Sequence, residues 1–205
     1  VLKATRGVGE QIYLYKADEE QEEARFVVNQ MKKIEENNPE IGWKDFSILY
    51  RTNAQSRPFE DLLLHNNIPY NIVGGLKFYD RKEVKDALAY LRIIANPEDT
   101  VSLLRIINTP RRGIGKTTMG RLMDAAQQLG VPLWEIVNDE TSVNTIGGKA
   151  GKALTEFANM IQGLKDNLET LTAREVLNHV LEQSGYITQL QQQGTDEADN
   201  RIANI

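Results

Sequence analysis

The sequence has no cysteine, and only two of its 205 residues are histidine. Without cysteine there is no disulfide, no thiol nucleophile and no cysteine-bound zinc or iron–sulfur site. His65 and His179 are far apart, and neither has a second ligand at metal-binding spacing. No apolar run approaches the roughly 18 residues of a membrane-spanning helix. These absences exclude a disulfide-rich mini-protein, a zinc finger and a cysteine enzyme, and we expect neither a metal site nor a membrane contact.

The sequence does have the composition of an ordinary globular chain, with 40% hydrophobic and 26% charged residues. It opens at Val1 instead of a methionine and stops at Ile205, within a stretch of helical character. We therefore expect an excised piece of a longer protein, so that the missing signal peptide says nothing about the compartment.

Charge is distributed unevenly along the chain, whose net charge is −5. The block 81–133 has nine basic and five acidic side chains, whereas 134–205 has five and eleven. No acidic residue occurs between Asp99 and Asp124, although five basic ones do: Arg105, Arg111, Arg112, Lys116 and Arg121. Attraction to phosphate is local, because physiological salt screens interactions between charges that are more than about 8 Å apart. This basic segment indicates either a phosphate-binding patch or a solvated surface.

Hydrophobic periodicity predicts an α/β part followed by an all-α part, with a boundary near residues 76–82. In the first 80 residues strand signals alternate with helix signals, which indicates a parallel sheet. The expected strands are Gln11–Tyr15, Phe46–Tyr50 and Tyr70–Val73. Beyond residue 80 only helices are expected. The first follows Asp80 and stops at Asn96-Pro97, the second runs from Asp99 to 107, and others lie roughly in 117–129, 149–170 and 173–183, the last opened by a Thr172–Glu175 capping box. The stretch 138–148 has the composition of a loop.

Gly115-Lys116-Thr117 resembles the end of a phosphate-binding P-loop, but the full pattern is absent. That pattern requires a glycine where Pro110 stands, and the segment lies in the helical part instead of after a strand. No acidic strand that would complete an ATP site is present elsewhere. We therefore expect no catalytic residue in this chain and no ATP hydrolysis by the chain alone.

The same residues fit a helix-hairpin-helix better, with a tight hairpin over 109–115 between two helices. Gly113 and Gly115 would direct backbone N–H groups and a helix N-terminus at a phosphate, while Ile114 points inward. Because no aromatic residue occurs between Tyr90 and Trp134, stacking on bases is not expected, which favours sequence-independent contact with a duplex backbone. The alternative is a glycine-rich turn between two helices.

A second polar segment, 51–57, follows the predicted strand Phe46–Tyr50 and leads into a helix. Ligands of open α/β sheets bind where strands end and helices begin. The polar side chains of this segment, Arg51, Asn53, Gln55 and Arg57, would then contact phosphate, sugar or base. The alternative is that they serve only as caps and turn residues.

Three long runs, Phe46–Arg57, Ile68–Arg81 and Glu83–Arg92, closely resemble the PcrA/UvrD/Rep branch of superfamily 1 DNA helicases. Asn108–Gly115 matches that family's duplex-contacting segment. The resemblance implies an ATP-driven motor that moves 3′ to 5′ on single-stranded DNA in the bacterial cytoplasm, on nucleoid DNA, and acts in repair or replication. ATP and Mg²⁺ would belong to the full-length parent, and the isolated fragment would have no cofactor and no activity.

Within such a helicase, residues 1–78 would be part of the RecA-like domain 2A with helicase motif IV, and 79–205 a shortened helical domain 2B. The resemblance, together with the basic patch, implies three sets of site residues. The single-stranded track would meet Arg51, Asn53, Arg57 and Lys77. The duplex would meet Thr109, Arg111, Arg112, Gly113, Ile114, Gly115, Lys116 and Thr117. Domain 2B would rotate about a hinge formed by Phe78, Tyr79, Asp80 and Arg81.

Two other functions stay open. The helical part would instead be a protein-docking or autoinhibitory module that meets DNA-repair proteins, a function for which the acidic block 134–205 is suited. A third interpretation is a piece of a recombination helicase–nuclease subunit, although those chains usually diverge from the run Gly74–Arg81. In the DNA-binding interpretation, Arg111→Ala or Arg112→Ala should weaken duplex binding about equally for all DNA sequences and reduce the salt slope by roughly 1 each, because each cation would neutralise one phosphate.

Overall fold

In a computed structural model, which describes residue 9 and residues 11–205, the chain divides into two units, the first ending at Phe78 and the second comprising Tyr79–Ile205. The first unit has two long helices, α1 (Glu20–Asn37) and α2 (Ser56–His65). Single 3₁₀ turns lie at Trp43–Asp45 and Asn53–Gln55. Helix α1 begins after its N-cap residue Glu19.

The predicted α/β layer is wrong, because residues 9 and 11–205 contain no β-strand. The segments Gln11–Tyr15, Phe46–Tyr50 and Tyr70–Val73 have no regular strand structure, and no partial RecA-like sheet is formed from them. The apolar run Phe46–Tyr50 indicated a strand buried on both faces, but its Leu49 is 91% exposed; Val73, at the end of the third segment, is 96% exposed. A strand requires hydrogen bonds to a neighbouring strand, and an apolar run alone does not supply that neighbour.

Some of these apolar side chains pack against the first unit's helices instead. Val28 and Met31 of α1, Leu63 of α2 and Ile68 are buried together. Partly buried residues close this small core: Val27, Trp43, Phe46, Ile48, Leu62 and Tyr70. The alternating side chains of a predicted strand therefore cover a helix pair here.

The second unit consists of nine helices around one continuous core in residues 79–205, as far as the structure describes them. They are α3 (Lys82–Ala95), α4 (Thr100–Ile106), α5 (Lys116–Leu129), α6 (Leu133–Asn138), α7 (Glu140–Ile146), α8 (Gly151–Asp166), α9 (Ala173–Gln183), α10 (Tyr186–Gln191) and α11 (Asp196–Ala203). Tyr90, Leu103, Phe157 and Ile161 are among the fully buried side chains of this core. None of the helices in the described part of the chain is long and apolar enough to cross a membrane.

Three capping residues show how the predicted helix starts compare with the structure. The prediction of a helix over 173–183 is confirmed, together with the Thr172–Glu175 capping box at its start. Asp99 caps α4 as expected, by accepting a hydrogen bond from the backbone N–H of Ser102. The predicted loop over 138–148 is wrong, because Asp139 caps the short helix α7, whose Val143 is buried in the core.

A buried carboxylate joins three helices of the second unit. Asp86 on α3, whose side chain is 2% exposed, pairs with the Nε of Arg105 at 2.8 Å and with the Nζ of Lys82. It also accepts a hydrogen bond from the hydroxyl of Tyr186 on α10, at 2.9 Å. Burial, and then the charge of Asp86, raise the pKa of Tyr186 far above its ordinary value, so this hydroxyl remains a donor.

The Thr172→Ala substitution should lower the free energy of unfolding by about 1 kcal/mol, because it removes the N-cap of α9. Thr172→Ser keeps the hydroxyl and should restore most of the loss. Hydrogen bonds from Thr172 hold the pKa of Glu175 below its ordinary value, so the stabilisation is present near neutral pH and is lost as the pH falls through that lowered pKa. Urea unfolding at neutral and acidic pH tests this, and equal stability of the Ala and Ser variants would contradict it.

Candidate nucleic-acid interface

The hairpin between α4 and α5 is held by Asn108. Its Oδ1 accepts hydrogen bonds from the backbone N–H of Arg112 at 2.7 Å and of Ile114 at 3.3 Å. Gly113 has a φ of +77°, a conformation that side chains with a Cβ rarely adopt. Ile114 then returns to the core, where it is buried, as the sequence predicted.

The guanidinium of Arg112 lies on the inner side of this hairpin. Its Nη1 donates to the carbonyl oxygens of Ile106 at 3.0 Å, Ile107 at 3.2 Å and Pro110 at 3.2 Å. Its Nη2 donates to the hydroxyl of Tyr90 at 2.8 Å. The side chain is half-buried, in contrast to the exposed Arg111 beside it.

Two further contacts connect this guanidinium to other helices of the second unit. Nη2 also donates to the carbonyl of Ser184, between α9 and α10, at 3.4 Å. The guanidinium carbon lies 5.2 Å from the ring centroid of Phe157 on α8. Tyr90, in turn, donates its hydroxyl hydrogen to the carbonyl of Thr109. Burial raises the pKa of Tyr90, although the neighbouring charge of Arg112 opposes the shift.

The outer side of the hairpin is open and positively charged. Arg111, Gly113, Gly115, Lys116 and Thr117 are exposed. No heavy atom lies within 4 Å of the position that a Cβ would take at either glycine. Within the described part of the chain, the charged groups of Arg111 and Lys116 form no hydrogen bond or ion pair. This side therefore presents two uncommitted cations next to exposed backbone.

Helix α5 starts at this outer side without a side-chain cap. Its N-cap is Gly115, and the first turn has no acidic residue. The first N–H groups of a helix have no intrahelical acceptor and carry partial positive charge. The remaining predicted duplex residue, Thr109, is half-buried, and its hydroxyl donates to the carbonyl of Arg105 at 3.1 Å. An anion such as a phosphate oxygen is therefore the chemical group that this surface suits.

In the first unit, two of the cations predicted to contact single-stranded DNA lie over aromatic rings. The guanidinium carbon of Arg57 is 4.5 Å from the ring centroid of Phe78, and the Nζ of Lys77 is 4.4 Å from that of Tyr70. Arg51 and Asn53 are exposed at the 3₁₀ turn Asn53–Gln55, as are both cations. The four residues therefore belong to one unit and all reach its surface.

Sequence reasoning missed Glu60, which supports both rings. Its carboxylate is 2% exposed and accepts hydrogen bonds from the hydroxyl of Ser56 at 2.7 Å, the hydroxyl of Tyr70 at 3.2 Å and the backbone N–H of Phe78 at 2.8 Å. An acidic residue next to the apolar positions of an amphipathic helix is typical of a solvated face. Only the non-local partners distinguish this buried carboxylate from such a residue.

The predicted hinge is a single 3₁₀ turn, Phe78–Asp80, followed by Arg81. Phe78 is buried, Tyr79 is half exposed, and Asp80 pairs with Lys85 at 2.8 Å. Arg81 is buried and donates to the Oδ1 of Asn204 at 2.7 Å, while the Nδ2 of Asn204 donates to Glu83 at 2.7 Å. Rotation about this segment stays a prediction.

The hairpin does not fit a nucleotide. Asn108 and Arg112 close its inner side, and no strand precedes it in the described residues, whereas a P-loop opens around the phosphates between a strand and a helix. In the part of the chain that the structure covers, no group of three or more histidine, aspartate or glutamate residues is arranged to hold a metal ion.

Comparison with known proteins identifies the family. Residues 1–147 match the UvrD-like helicase C-terminal domain, and the chain belongs to this family. The ATP-dependent DNA helicase PcrA of Staphylococcus aureus is 40% identical over 197 residues, which cover 96% of this chain and 27% of the relative. The PcrA helicase of Leuconostoc citreum is 37% identical over 204 residues, and that of Staphylococcus epidermidis is 39% identical over 197 residues. The chain thus spans about 27% of the length of these relatives, and the predicted resemblance is confirmed.

The Glu60→Ala substitution should destabilise the first unit by about 1–3 kcal/mol, because it removes a buried acceptor from three donors. The two tryptophans report the units separately, because Trp43 packs on the first core and Trp134 lies in the second. With 5-fluorotryptophan incorporated, the ¹⁹F signal of Trp43 should shift to its unfolded position at lower urea, and that of Trp134 should not. Glu36→Ala, at an exposed position of α1, is the control; equal midpoints for both variants would contradict the role of Glu60.

Proposed function

We propose that this chain is part of an ATP-dependent DNA helicase and that its helical unit binds duplex DNA through sequence-independent phosphate contacts. The observation that carries the proposal is the outer side of the hairpin, where two open glycines and two uncommitted cations surround an uncapped helix start. The contacting residues would be Thr109, Arg111, Gly113, Gly115, Lys116 and Thr117, with Ile114 as the buried anchor of the loop.

Phosphate contact fits this surface better than base recognition does. The exposed residues here supply backbone N–H groups, two cations and one free threonine hydroxyl, at Thr117, and phosphate oxygens accept from all of these. Reading of bases requires side chains that enter a groove, or rings that stack, and no aromatic residue occurs between Tyr90 and Trp134. A helicase that moves along any sequence needs contacts of this kind.

The first unit would contribute contacts to the single-stranded track. Arg51, Asn53, Arg57 and Lys77 are exposed on one unit, and the rings under Arg57 and Lys77 restrict where these two charges lie. ATP and Mg²⁺ would be bound by the longer protein, in the bacterial cytoplasm, and this piece alone would not hydrolyse ATP. In the longer protein, Asn53→Ala should slow unwinding and leave nucleotide affinity unchanged.

A second candidate function is protein docking by the helical unit, including autoinhibition in the parent helicase. All eleven acidic side chains of residues 134–205 are exposed, against five basic ones in the same block. Such a surface repels DNA and favours a basic protein surface, so a DNA-repair partner would bind there. Partner binding that survives removal of the hairpin cations would favour this candidate.

The Arg111→Ala/Lys116→Ala double substitution should weaken duplex binding equally for all sequences and make the salt dependence shallower. Each lost phosphate contact reduces the slope of log K against log salt by about 0.9, so the double variant should lose about 2. Fluorescence anisotropy against a labelled blunt duplex, from low to physiological salt, measures both quantities. The Lys149→Ala/Lys165→Ala double variant is the control, because both lysines are exposed and their removal takes away the same two charges elsewhere in the unit; equal losses in the control would show only a net-charge effect.

The Gly115→Val substitution should weaken duplex binding roughly tenfold or more, because bulk at this position blocks the charge-assisted hydrogen bonds of an approaching phosphate. The fold should persist, since nothing within 4 Å meets the new side chain and its main cost is that valine is a poorer N-cap. Gly163→Val, at an equally open and exposed position of α8, is the matched control. A Gly115→Val variant that is unfolded by circular dichroism, or that binds duplex as tightly as the unsubstituted chain, would contradict the assignment of Gly115.

A further inference from the structure

We propose that Arg112 is a positioning residue, which shapes the duplex-binding side of the hairpin from within and does not itself contact DNA. The proposal deepens the proposed function and rests on it for the role in DNA binding. It separates Arg112 from Arg111, although the two are adjacent and equally basic.

The first argument is that both terminal nitrogens of Arg112 are already engaged. Nη1 and Nη2 donate to five oxygen atoms, at distances of 3.0 to 3.4 Å for the four carbonyls and 2.8 Å for the hydroxyl of Tyr90. The planar guanidinium, which has five donors in a fixed fork, suits such a set of acceptors. Contact with a phosphate would require several of these hydrogen bonds to break and the side chain to turn outward.

The second argument concerns which hairpin groups face inward. Arg112 binds the carbonyl oxygens of Ile106, Ile107 and Pro110, and Tyr90 binds that of Thr109. Carbonyl oxygens carry partial negative charge and would repel a phosphate. Because Arg112 and Tyr90 hold these oxygens on the inner side, the outer side is left to the glycines and the cations Arg111 and Lys116.

The third argument is that Arg112 and Asn108 hold complementary parts of the same loop. Asn108 accepts from the N–H groups of Arg112 and Ile114, while the guanidinium of Arg112 binds carbonyls before and within the loop. Contacts to Ser184 and Phe157 then fix the guanidinium against two other parts of the second unit. Removing Arg112 should therefore loosen the loop at the N–H of Ile114. This effect can be measured without DNA.

The experiment compares Arg112→Met with Arg111→Met in the full 205-residue chain. For each variant, duplex affinity is measured across a salt series, and hydrogen exchange of the Ile114 amide is measured without DNA. We expect Arg112→Met to lower affinity about tenfold with an unchanged salt slope, and to accelerate Ile114 exchange about tenfold. Arg111→Met should reduce the salt slope by about 1 and leave the exchange unchanged.

Three further variants separate positioning from general destabilisation. Ile161→Val perturbs the same core at a fully buried position, and it should change neither the duplex affinity nor the exchange of Ile114 relative to other core amides. Tyr90→Phe removes one acceptor of Arg112 and keeps the ring, so it should reproduce the Arg112→Met effects in a milder form. It also keeps the test decisive if Arg112→Met does not fold. Arg112→Lys should lose affinity and loop protection as Arg112→Met does, because one ammonium group cannot replace the planar fork of donors of a guanidinium.

A salt slope reduced by about 1 in Arg112→Met, with unchanged exchange at Ile114, would overturn the proposal and make Arg112 a phosphate contact. Accelerated exchange with unchanged affinity would also overturn it, because loop order would then be irrelevant to binding. Failure of the proposed function gives a different result, because the unsubstituted 205-residue chain would then bind no duplex at low salt. In that case unchanged exchange in Arg112→Met would refute the claim of loop positioning as well.

Discussion

The half-buried guanidinium of Arg112 is the interaction on which the hairpin and its surroundings depend. A cation removed from water is stable only when its donors are satisfied, and here four carbonyls and one hydroxyl satisfy it. Those acceptors come from α3, the end of α4, the hairpin and the turn before α10. The path of the chain from α4 to α5 is therefore fixed by Arg112 together with Asn108, in addition to the apolar core.

A similar arrangement occurs in the first unit, with the opposite sign of charge. Glu60 is buried and accepts hydrogen bonds from Tyr70 and Phe78, whose rings lie beneath two exposed cations. A buried carboxylate in the first unit and a half-buried guanidinium in the second thus order the groups that lie next to exposed cations or exposed backbone. Such a division suits binding of a polyanion, because the surface cations stay exposed to solvent while the charged groups that order their surroundings lie beneath them.

Local signals predicted the helices α3, α4, α5, α8 and α9 of the second unit, but they missed the short helices α6, α7, α10 and α11. They also failed for the strands, whose partners are non-local. The Thr172–Glu175 capping box and the apolar spacing after it place α9 correctly, because both lie within one helix. The strand Phe46–Tyr50 was predicted from its apolar run, but a sheet depends on a neighbouring strand that this run cannot specify. The same limit applies to the site: glycine spacing indicated the hairpin, whereas the inward direction of Arg112 depends on Tyr90 and Ser184, which are distant in sequence.

The central claim is that the hairpin's outer side contacts duplex phosphates. A titration of the ¹⁵N-labelled chain with a blunt duplex at low salt, followed through its backbone amide shifts, tests it most directly. The account predicts that the largest shifts fall within residues 109–117 and disappear as salt is raised. Shifts confined to the acidic block 134–205, or no shifts at any salt concentration, would contradict it.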